Sequence, residues 1–322
     1  MTPTIVLRAD GSDITARVRA HHKSLKIVDE AGHQSDTLTL TLDDRDGMIE
    51  LPRRSATLSV SLGYRERGLN DMGAFVVDEL ELSGPPAQIV IKAKAADMRA
   101  RIKAPRTRLW PPTTLGAIVH TIAAEHGLVA RVGRELRDIA LPHIDQTEES
   151  ALHLLTRLSH QHDAVAKPAS GHLLFIPKGT AHSASGQTLP ILAIHRSDAI
   201  DYRVTLAERG QYGAVRASWH DVQSGTRTAV TIGDGEPVYT LRHPHTSPAA
   251  ARAAARAKLT TLTRGTATLD IQIDGTSAVA AEIRLRLSGF RDGIDGEWIT
   301  TRVTHAISDA GYTTNIEPET PT

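Results

Sequence analysis

The strongest constraint on the fold is a series of strand-like segments that occurs twice, far apart in the chain. In each segment apolar and polar residues alternate, as in Leu-Thr-Leu-Thr-Leu-Asp at 38–43 and Leu-Asp-Ile-Gln-Ile-Asp at 269–274. A half-buried strand requires such alternation because successive side chains point to opposite faces of a sheet. The repeat therefore predicts one β domain that is used twice. The matched segments are 38–43 with 269–274, 58–65 with 283–291, and 73–76 with 296–299.

The composition of the 322 residues excludes several classes of protein. Lys and Arg together number 37, as do Asp and Glu, so the zero net charge offers no overall attraction to nucleic acid or to an anionic membrane. The absence of cysteine excludes disulfides, thiol catalysis and cysteine-ligated metals, and it fits assembly in a reducing cytoplasm. No signal peptide and no run of about 18 apolar residues is present, so we expect a soluble protein without membrane insertion.

A basic segment that contains prolines follows the first copy of the repeat. Residues 99–112 carry five Arg or Lys residues, no acidic residue, and a closing Trp-Pro-Pro. Prolines stiffen linkers and the β pattern stops near Ala95, so we interpret residues 99–112 as a linker between domains. A DNA-binding stripe formed by the same basic residues is the alternative interpretation.

A helical pattern begins at the end of this linker. A first helix is predicted to be capped by Thr113 or Thr114 and to stop at Gly127. The apolar run at 173–176 is typical of a strand. Residues 113–190 are therefore predicted to form a small α+β module.

A second helix within this module is predicted to start near Asp145. Glu148 lies three residues further on and fits the acidic position of a capping box. The apolar stripe of the predicted helix contains Leu152, Leu155 and Leu158, whose spacing places them on one face.

β character returns after residue 190 and is interrupted by one helix. Ser247 is a good N-cap, Pro248 suits the first helical position, and the alanine-rich stretch after it predicts a helix over residues 248–264. The predicted fold class is a β-rich α+β protein, with two β domains and the α+β module between them. The predicted division is a first β domain at 1–98, the linker at 99–112, the module at 113–190, a second β domain at 191–317 and a tail at 318–322.

No group of residues typical of catalysis or metal binding is apparent in the sequence. Zinc proteases need two histidines four apart on a helix, whereas His153 and His160 are seven apart and His120 and His126 are six apart. Asp43–Gly47 lacks the acid spacing of a calcium loop, and no Gly-x-Ser-x-Gly elbow occurs. We therefore predict no catalytic, cofactor-binding or metal-binding residue, no cofactor, and no enzymatic activity.

The most specific motif of the chain is Pro-His-Ile-Asp-Gln-Thr at 142–147, preceded by Thr-Thr-Leu-Gly-Ala-Ile-Val at 113–119 and followed by Leu-Leu-Phe-Ile at 173–176. With the segments below, these motifs resemble the late control gene D protein family of contractile-tailed temperate phages. The resemblance extends over essentially the whole chain in order. The further segments are 38–47, 75–79 and 301–305.

The resemblance implies a structural protein, the hub of a tail baseplate. Such hubs look like homotrimers in which each subunit contributes two tail-tube-like β-barrels, so a threefold ring offers six nearly equivalent docking edges. The implied partners are the central spike protein, the tail tube protein, and baseplate wedge and tape-measure proteins, with no specific nucleic acid. The implied location is the virion tail baseplate of a phage, prophage or bacteriocin-like particle, assembled in the bacterial host cytoplasm.

Within such a ring the duplicated strand series acts as a symmetry adaptor, because it converts three subunits into six docking sites. The two copies differ most in one loop, which spans Asp43–Ser55 in the first copy and the shorter Asp274–Ala281 in the second. We expect the six positions to differ at this loop.

Two other functions stay open at this point. A tail-associated peptidoglycan hydrolase would use the α+β module, with His143, Asp145 and Glu148 as the residues to test. A peptidoglycan- or DNA-binding module would combine the same α+β unit with the basic segment 99–108. Loss of peptidoglycan turbidity would support the hydrolase, and binding with a steep salt dependence would support the DNA-binding version.

Overall fold

A computed structural model gives the fold of residues 1–32, 35–96, 100–169, 171–178, 191–206, 212–221, 224–264 and 267–320. Most of these residues lie in strands, which form one 13-stranded sheet and four small sheets. Four hydrophobic clusters fill the interior: one in each β domain, one in the segment between them, and one in an insertion. Among the described helices, none has the length and apolar character needed to cross a membrane.

The first β domain packs seven strands and one short helix around a hydrophobic core. Alternation in β4 buries Leu38, Leu40 and Leu42, as predicted, because one face of the strand is turned to the core. Helix α1 was not expected in a segment predicted to be β throughout, and it contributes Val18 to the core. The elements are β1 (Pro3–Ala9), β2 (Ser12–Asp13), α1 (Thr15–His21), β3 (His22–Glu30), β4 (Thr37–Asp43), β5 (Thr57–Tyr64), β6 (Gly68–Ser83) and β7 (Gln88–Ala95).

The α+β module lies between the two β domains in sequence. Thr114 is the N-cap of helix α2, since its side chain accepts a hydrogen bond from the Ala117 N–H, which confirms the predicted start of that helix. A 3-10 helix (Ala100–Lys103) opens the module. The other elements are β8 (Pro105–Trp110), β9 (Thr113–Thr114), α2 (Leu115–Glu125), β10 (Val129–Val132), α3 (Arg134–Arg137), β11 (Ala140–Leu141), β12 (Ile144–Ser150), α4 (Ala151–Gln161), β13 (Ala164–Ala169) and β14 (His172–Pro177).

The predicted helix start near Asp145 was wrong. Residues 144–150 form strand β12, which pairs antiparallel with β8, and helix α4 begins only at Ala151. Glu148 has a φ of 48°, a left-handed conformation that is incompatible with an α-helix. Ser150 is the true N-cap, because its hydroxyl accepts a hydrogen bond from the His153 N–H. Strand pairing over a long sequence distance thus overrides the local helical signal.

Part of the predicted linker also has regular structure. Residues 105–110 are strand β8, and Ile102 and Trp110 are buried in the core of the module. The basic segment therefore belongs to the α+β module and does not form a solvated connection. Residues 97–99, 179–190 and 321–322 of the predicted divisions lie outside the described residues.

The second β domain contains an inserted unit between β16 and β20. This unit is a three-stranded sheet, β18-β17-β19, against which helix α5 packs through Ala251 and Ala255. The predicted helix over 248–264 and its N-cap are confirmed, since the Ser247 hydroxyl accepts a hydrogen bond from the Ala250 N–H. The elements are β15 (Leu192–His195), a 3-10 helix (Arg196–Asp198), β16 (Ala199–Leu206), β17 (Ala214–Asp221), β18 (Thr226–Gly233), β19 (Val238–Thr240), α5 (Pro248–Arg264), β20 (Ala267–Asp274), β21 (Arg284–Ser288), β22 (Gly296–Ser308) and β23 (Gly311–Glu319).

The two β domains share one strand order, as the repeated series predicted. The first reads β3-β4-β7-β6-β5-β1 and the second reads β16-β20-β23-β22-β21-β15. The outermost pair differs, because β1 is antiparallel to β5 whereas β15 is parallel to β21. Strand β23 runs to Glu319, so it includes the first residues of the predicted tail. The fold is thus a β-rich α+β fold with two barrel-like β domains.

Candidate assembly interfaces

The two β domains are hydrogen-bonded to each other through one strand pair, which we call the intrachain joint. It consists of β3 and residues 302–308 of β22, which run antiparallel with Arg302 opposite Glu30 and Ser308 opposite Ser24. Strand β22 can serve both domains because it is long: residues 296–299 pair with β21, and the remainder extends past that strand. The joint makes the strands of both domains one continuous sheet.

The core side of the intrachain joint buries a histidine. His305 is 1% exposed, its Nε2 lies 3.2 Å from the Val279 carbonyl oxygen, and its Nδ1 lies 3.1 Å from the Tyr312 hydroxyl. A carbonyl only accepts, so Nε2 carries the proton and Nδ1 accepts from Tyr312. Burial lowers the pKa of His305, which keeps the ring neutral. Ile307 and Tyr312 also pack into the core of the first domain, so the hydrophobic core crosses the joint.

The opposite side of the intrachain joint is a polar groove of about 480 Å³. Arg302 is one of its lining residues, and its guanidinium donates to a Glu30 carboxylate oxygen at 2.7 Å and to Glu317 at 3.4 Å. These contacts raise the pKa of Arg302 above its ordinary value, the Glu30 bond contributing most. The Arg302–Glu30 ion pair between the two domains therefore reinforces the backbone pairing.

Three charged side chains connect all three parts of the molecule, and we call them the three-way cluster: Asp29, Asp36 and Lys167. The Lys167 ammonium, from β13 of the module, donates to Asp36 Oδ1 at 2.7 Å, to Asp29 Oδ1 at 3.0 Å and to the Glu30 carbonyl at 2.7 Å. The second oxygen of Asp29 accepts from the Ala281 N–H of the second β domain at 2.8 Å. One lysine thus ties the module to the intrachain joint.

The three-way cluster is short of one positive charge, since two carboxyl groups share one ammonium. Burial and then the charge of Asp29 raise the pKa of Asp36 to about 6. Burial also opposes ionisation of Asp29, but the Lys167 charge and the Ala281 N–H outweigh it and lower the pKa of Asp29. Both carboxylates in turn raise the pKa of Lys167 despite its burial. At neutral pH the cluster holds an excess negative charge.

The basic stripe predicted at 99–108 is partly neutralised within the module. Arg106 and Arg108 both donate to the carboxylate of Glu125 in helix α2, at 2.5 and 2.7 Å. Burial opposes ionisation of Glu125, but the two arginines lower its pKa below the ordinary value. The Arg108 guanidinium also stacks over the Trp110 ring at 3.8 Å. These arginines hold β8 against α2, so they do not form a free DNA-binding stripe.

The residues singled out for a hydrolase lie on an open surface. His143 Nε2 is 3.1 Å from Asp145 Oδ1, with side chains that are 52% and 64% exposed. Glu148 accepts a hydrogen bond from the Thr107 hydroxyl at 3.2 Å and does not contact this pair. In the described part of the chain, no three His, Asp or Glu side chains are grouped as metal ligands. The arrangement offers no enclosed site for a cleavage reaction.

Among the edges of the large sheet that no described strand covers, two carry a large exposed apolar side chain. One is β16, which pairs with β20 on one side only, and the other is residues 79–83 of β6, which pair with β7 only. A large apolar side chain is exposed at each edge, with Leu82 at 59% and Ile200 at 57% exposure. Open strand edges are templates for pairing with another chain. The sequence showed alternation at 79–82 but gave no sign that Leu82 is exposed.

The repeated strand order, the ion pairs at the intrachain joint and the uncovered strand edges are typical of a structural protein that assembles with other chains. The profile of the phage tail baseplate hub (GPD) family matches residues 38–311, and the chain belongs to this family. A probable baseplate hub protein of Escherichia phage 186 is 32% identical, and the alignment covers 99% of this chain and 93% of that protein. Family membership confirms the resemblance deduced from the motifs.

Solved structures show the same fold at lower sequence identity. The 43 kDa tail protein of prophage MuSo2 from Shewanella oneidensis superposes with a TM-score of 0.75 at 15% identity, covering 99% of both chains. An Escherichia coli component of the type VI secretion system, described as structurally similar to tail proteins of bacteriophage T4, gives a TM-score of 0.59 at 12% identity. That comparison covers all of this chain and 77% of the other. The fold is therefore shared by tail proteins and a secretion component.

Proposed function

We propose that this baseplate hub is a homotrimer that connects the tail tube to the central spike of a contractile tail. The observation that carries the proposal is the double use of one strand order within a single chain. Three such chains present six β domains of one type, which suits a junction between a sixfold tube and a threefold spike. The protein acts by shape and contact and has no enzymatic activity.

Each part of the fold is proposed to contact different partner proteins. The two β domains form the ring that faces the tail tube and spike proteins. The α+β module, held to the ring by the three-way cluster, faces outward toward baseplate wedge proteins. Tape-measure protein is a further partner at the tube end. The zero net charge and the lack of cysteine suit assembly in the host cytoplasm without binding nucleic acid.

The test is the mass of the purified protein and its assembly with the tube and spike proteins encoded beside it. Light scattering should give three 34.7-kDa chains, or 104 kDa, alone or with the spike bound. Co-purification should recover tube and spike proteins with the hub. A monomer that binds neither protein at any concentration would contradict the proposal.

The structural function is separated from hydrolysis by a second assay. Purified hub should leave the turbidity of a peptidoglycan suspension unchanged. Clearing that disappears in the His143→Ala or Asp145→Ala variant, with the fold intact by circular dichroism, would establish an enzymatic role instead.

A further inference from the structure

Two pairs of β-bulges align the β domains residue by residue. Strand β6 has a bulge between Val77 and Glu79 where it pairs with β7, and β22 has one between Thr300 and Arg302 where it pairs with β23. Val77 and Thr300 are separated by 223 residues, as are Glu79 and Arg302. A bulge inserts one extra residue and shifts which side chain faces the core, so shared bulges mark equivalent positions. Glu81 therefore corresponds to Thr304, and Leu82 to His305.

The other two strands of the intrachain joint align in the same way. Strand β3 has a bulge between His22 and Ser24, and β16 has one between Ala199 and Asp201, a separation of 177 residues. Val28 therefore corresponds to Thr205, and Ile27 to Val204. The four strands form two equivalent pairs, β22 with β6 and β3 with β16.

The intrachain joint uses β22 and β3, one strand of each equivalent pair. The other two strands, β6 and β16, have an open edge at the corresponding position. In β22, contacts to the segment before β21 end at Thr300, after which β3 takes over. In β6, contacts to the segment before β5 end at Val77, after which no described strand follows. Residues 79–83 of β6 and strand β16 are thus the two halves of a second joint. Strand β16 ends the 13-stranded sheet on one side, whereas β5, β1 and β2 lie beyond β6 on the other side.

The side chains of the two open edges complement each other in this register. Leu82 falls opposite Val204 on the core side, where Val204 and Tyr202 are only half-buried against the second-domain core. On the polar side, Glu81, which also pairs with Lys92 of β7, lies diagonally across from the exposed Arg203 of β16. Diagonal neighbours across an antiparallel pair are within reach of long side chains. The pairing covers exposed apolar surface and brings opposite charges together.

We propose that strand β16 of one copy of this chain pairs antiparallel with residues 79–83 of β6 in a neighbouring copy, with Leu82 opposite Val204 and Glu81 opposite Thr205. The inference rests on the proposed trimer and specifies how its subunits touch. The two edges are different surfaces, so the contact is head-to-tail, and three of them close a ring in which every domain boundary has the geometry of the intrachain joint.

Engineered cysteine pairs test the register directly, because the chain has no cysteine. The variant E81C/T205C should form a disulfide between chains on mild oxidation and run as a covalent trimer on a non-reducing gel. The matched control V28C/T304C occupies the equivalent positions of the intrachain joint, and it should lose its free thiols while remaining a single chain. The shifted pair E81C/V204C places the thiols on opposite faces and should not link.

The outcomes distinguish failure of the proposed joint between chains from failure of the proposed trimer. A trimer by light scattering that fails to cross-link through E81C/T205C, while V28C/T304C reacts, overturns the joint and leaves the trimer standing. A monomer that does not cross-link overturns both. Equal cross-linking of E81C/V204C overturns the proposed register.

A single substitution gives a second readout that does not depend on oxidation. Leu82→Asp should abolish the trimer and give a monomer with an unchanged circular dichroism spectrum, because the side chain is exposed in the subunit and covered in the joint. Leu109→Asp is the matched control, since Leu109 is similarly exposed, at 63%, on β8 of the module. A Leu82→Asp variant that remains trimeric contradicts the proposed joint.

Discussion

Replacing Asp36 by asparagine should stabilise the protein at neutral pH, although it removes a buried charge partner of Lys167. The amide keeps an oxygen for the Lys167 ammonium and for the Glu30 N–H, which donates to Asp36 Oδ1 at 3.0 Å. What it removes is the excess negative charge beside Asp29. The gain arises because the folded protein holds the Asp36 carboxylate under unfavourable conditions, buried and close to a like charge.

The size and pH window of the effect follow from the pKa of Asp36, which rises from 3.8 to about 6 on folding. A raised pKa stabilises the folded state below the unfolded value, and this contribution is lost as pH rises through about 6. A shift of this size corresponds to about 3 kcal/mol at most. We therefore expect Asp36→Asn to unfold with a free energy about 1–3 kcal/mol higher than wild type at pH 7.5, and the difference to vanish below about pH 3.

Urea unfolding followed by circular dichroism at several pH values measures this difference. Titration of His305, whose pKa burial lowers, affects both proteins and cancels in the comparison. The matched control is Asp29→Asn, which should destabilise at pH 7.5, because the pKa of Asp29 is lowered and its ionised form bonds Lys167 and the Ala281 N–H. An Asp36→Asn variant less stable than wild type at pH 7.5, or a pH-independent difference, would refute the reasoning.

Three further predictions concern local contacts. Gly275→Ala should lower the free energy of unfolding by about 1–3 kcal/mol, because the new methyl group would overlap the buried Tyr312 ring at the intrachain joint; urea titration measures it. Thr114→Ala and Ser247→Ala each remove a helix N-cap and should cost about 1 kcal/mol, seen as a lower melting temperature. Glu125→Gln breaks ion pairs to two partly exposed arginines of β8 and should cost less than about 1 kcal/mol at pH 7, and nothing in strong acid.

The strands and helix caps could be predicted because their signals are local. Leu38, Leu40 and Leu42 alternate with polar residues at the period of a strand, and all three are buried. Thr114 and Ser247 cap helices because a short polar side chain can reach the free N–H groups of the first turn wherever a helix follows. Such features depend on residues within one or two turns of each other.

The wrong helix start at Asp145 also has a physical cause, because here the local signal and the distant pairing partner disagree. Acidic residues before an apolar helical stripe are typical of a first helical turn, so the stretch from Asp145 to Glu149 fitted a helix start. The stretch instead pairs with β8, more than thirty residues earlier, through Asp145 opposite Leu109 and Gln146 opposite Arg108. Local pattern cannot distinguish a first turn from a polar strand when the deciding partner is far away in sequence.

The intrachain joint and the three-way cluster could not be predicted for a related reason. Lys167 meets Asp29 and Asp36 across more than 130 residues, and Ala281 joins them from a third part of the chain. Nothing in the local sequence of these residues differs from that of solvated charges. Only the duplication predicted that the two β domains would share an architecture, and it left their mode of contact open.

In the proposed ring, the three joints within chains and the three joints between chains share backbone geometry but differ in strength. Within the chain, Asn70 donates to the Ser277 hydroxyl at 3.0 Å and Asp29 binds both Lys167 and Ala281. The position equivalent to Asp29 in β16 is Leu206, which has no carboxylate, so the joint between chains has no counterpart of this cluster.

The loops after β4 and β20 also differ between the two kinds of joint. These are the loops at which the sequence predicted the two copies to differ. The loop after β20 is held against the first β domain through Ser277 and Ala281, whereas its longer counterpart after β4 exposes Met48 at 78% and Leu51 at 47%. In the proposed ring, the joints within chains are therefore fixed by polar contacts that form as each subunit folds. We expect the joints between chains to rely on apolar cover and on surface charge, so that complete subunits close the ring afterwards and its assembly is sensitive to salt.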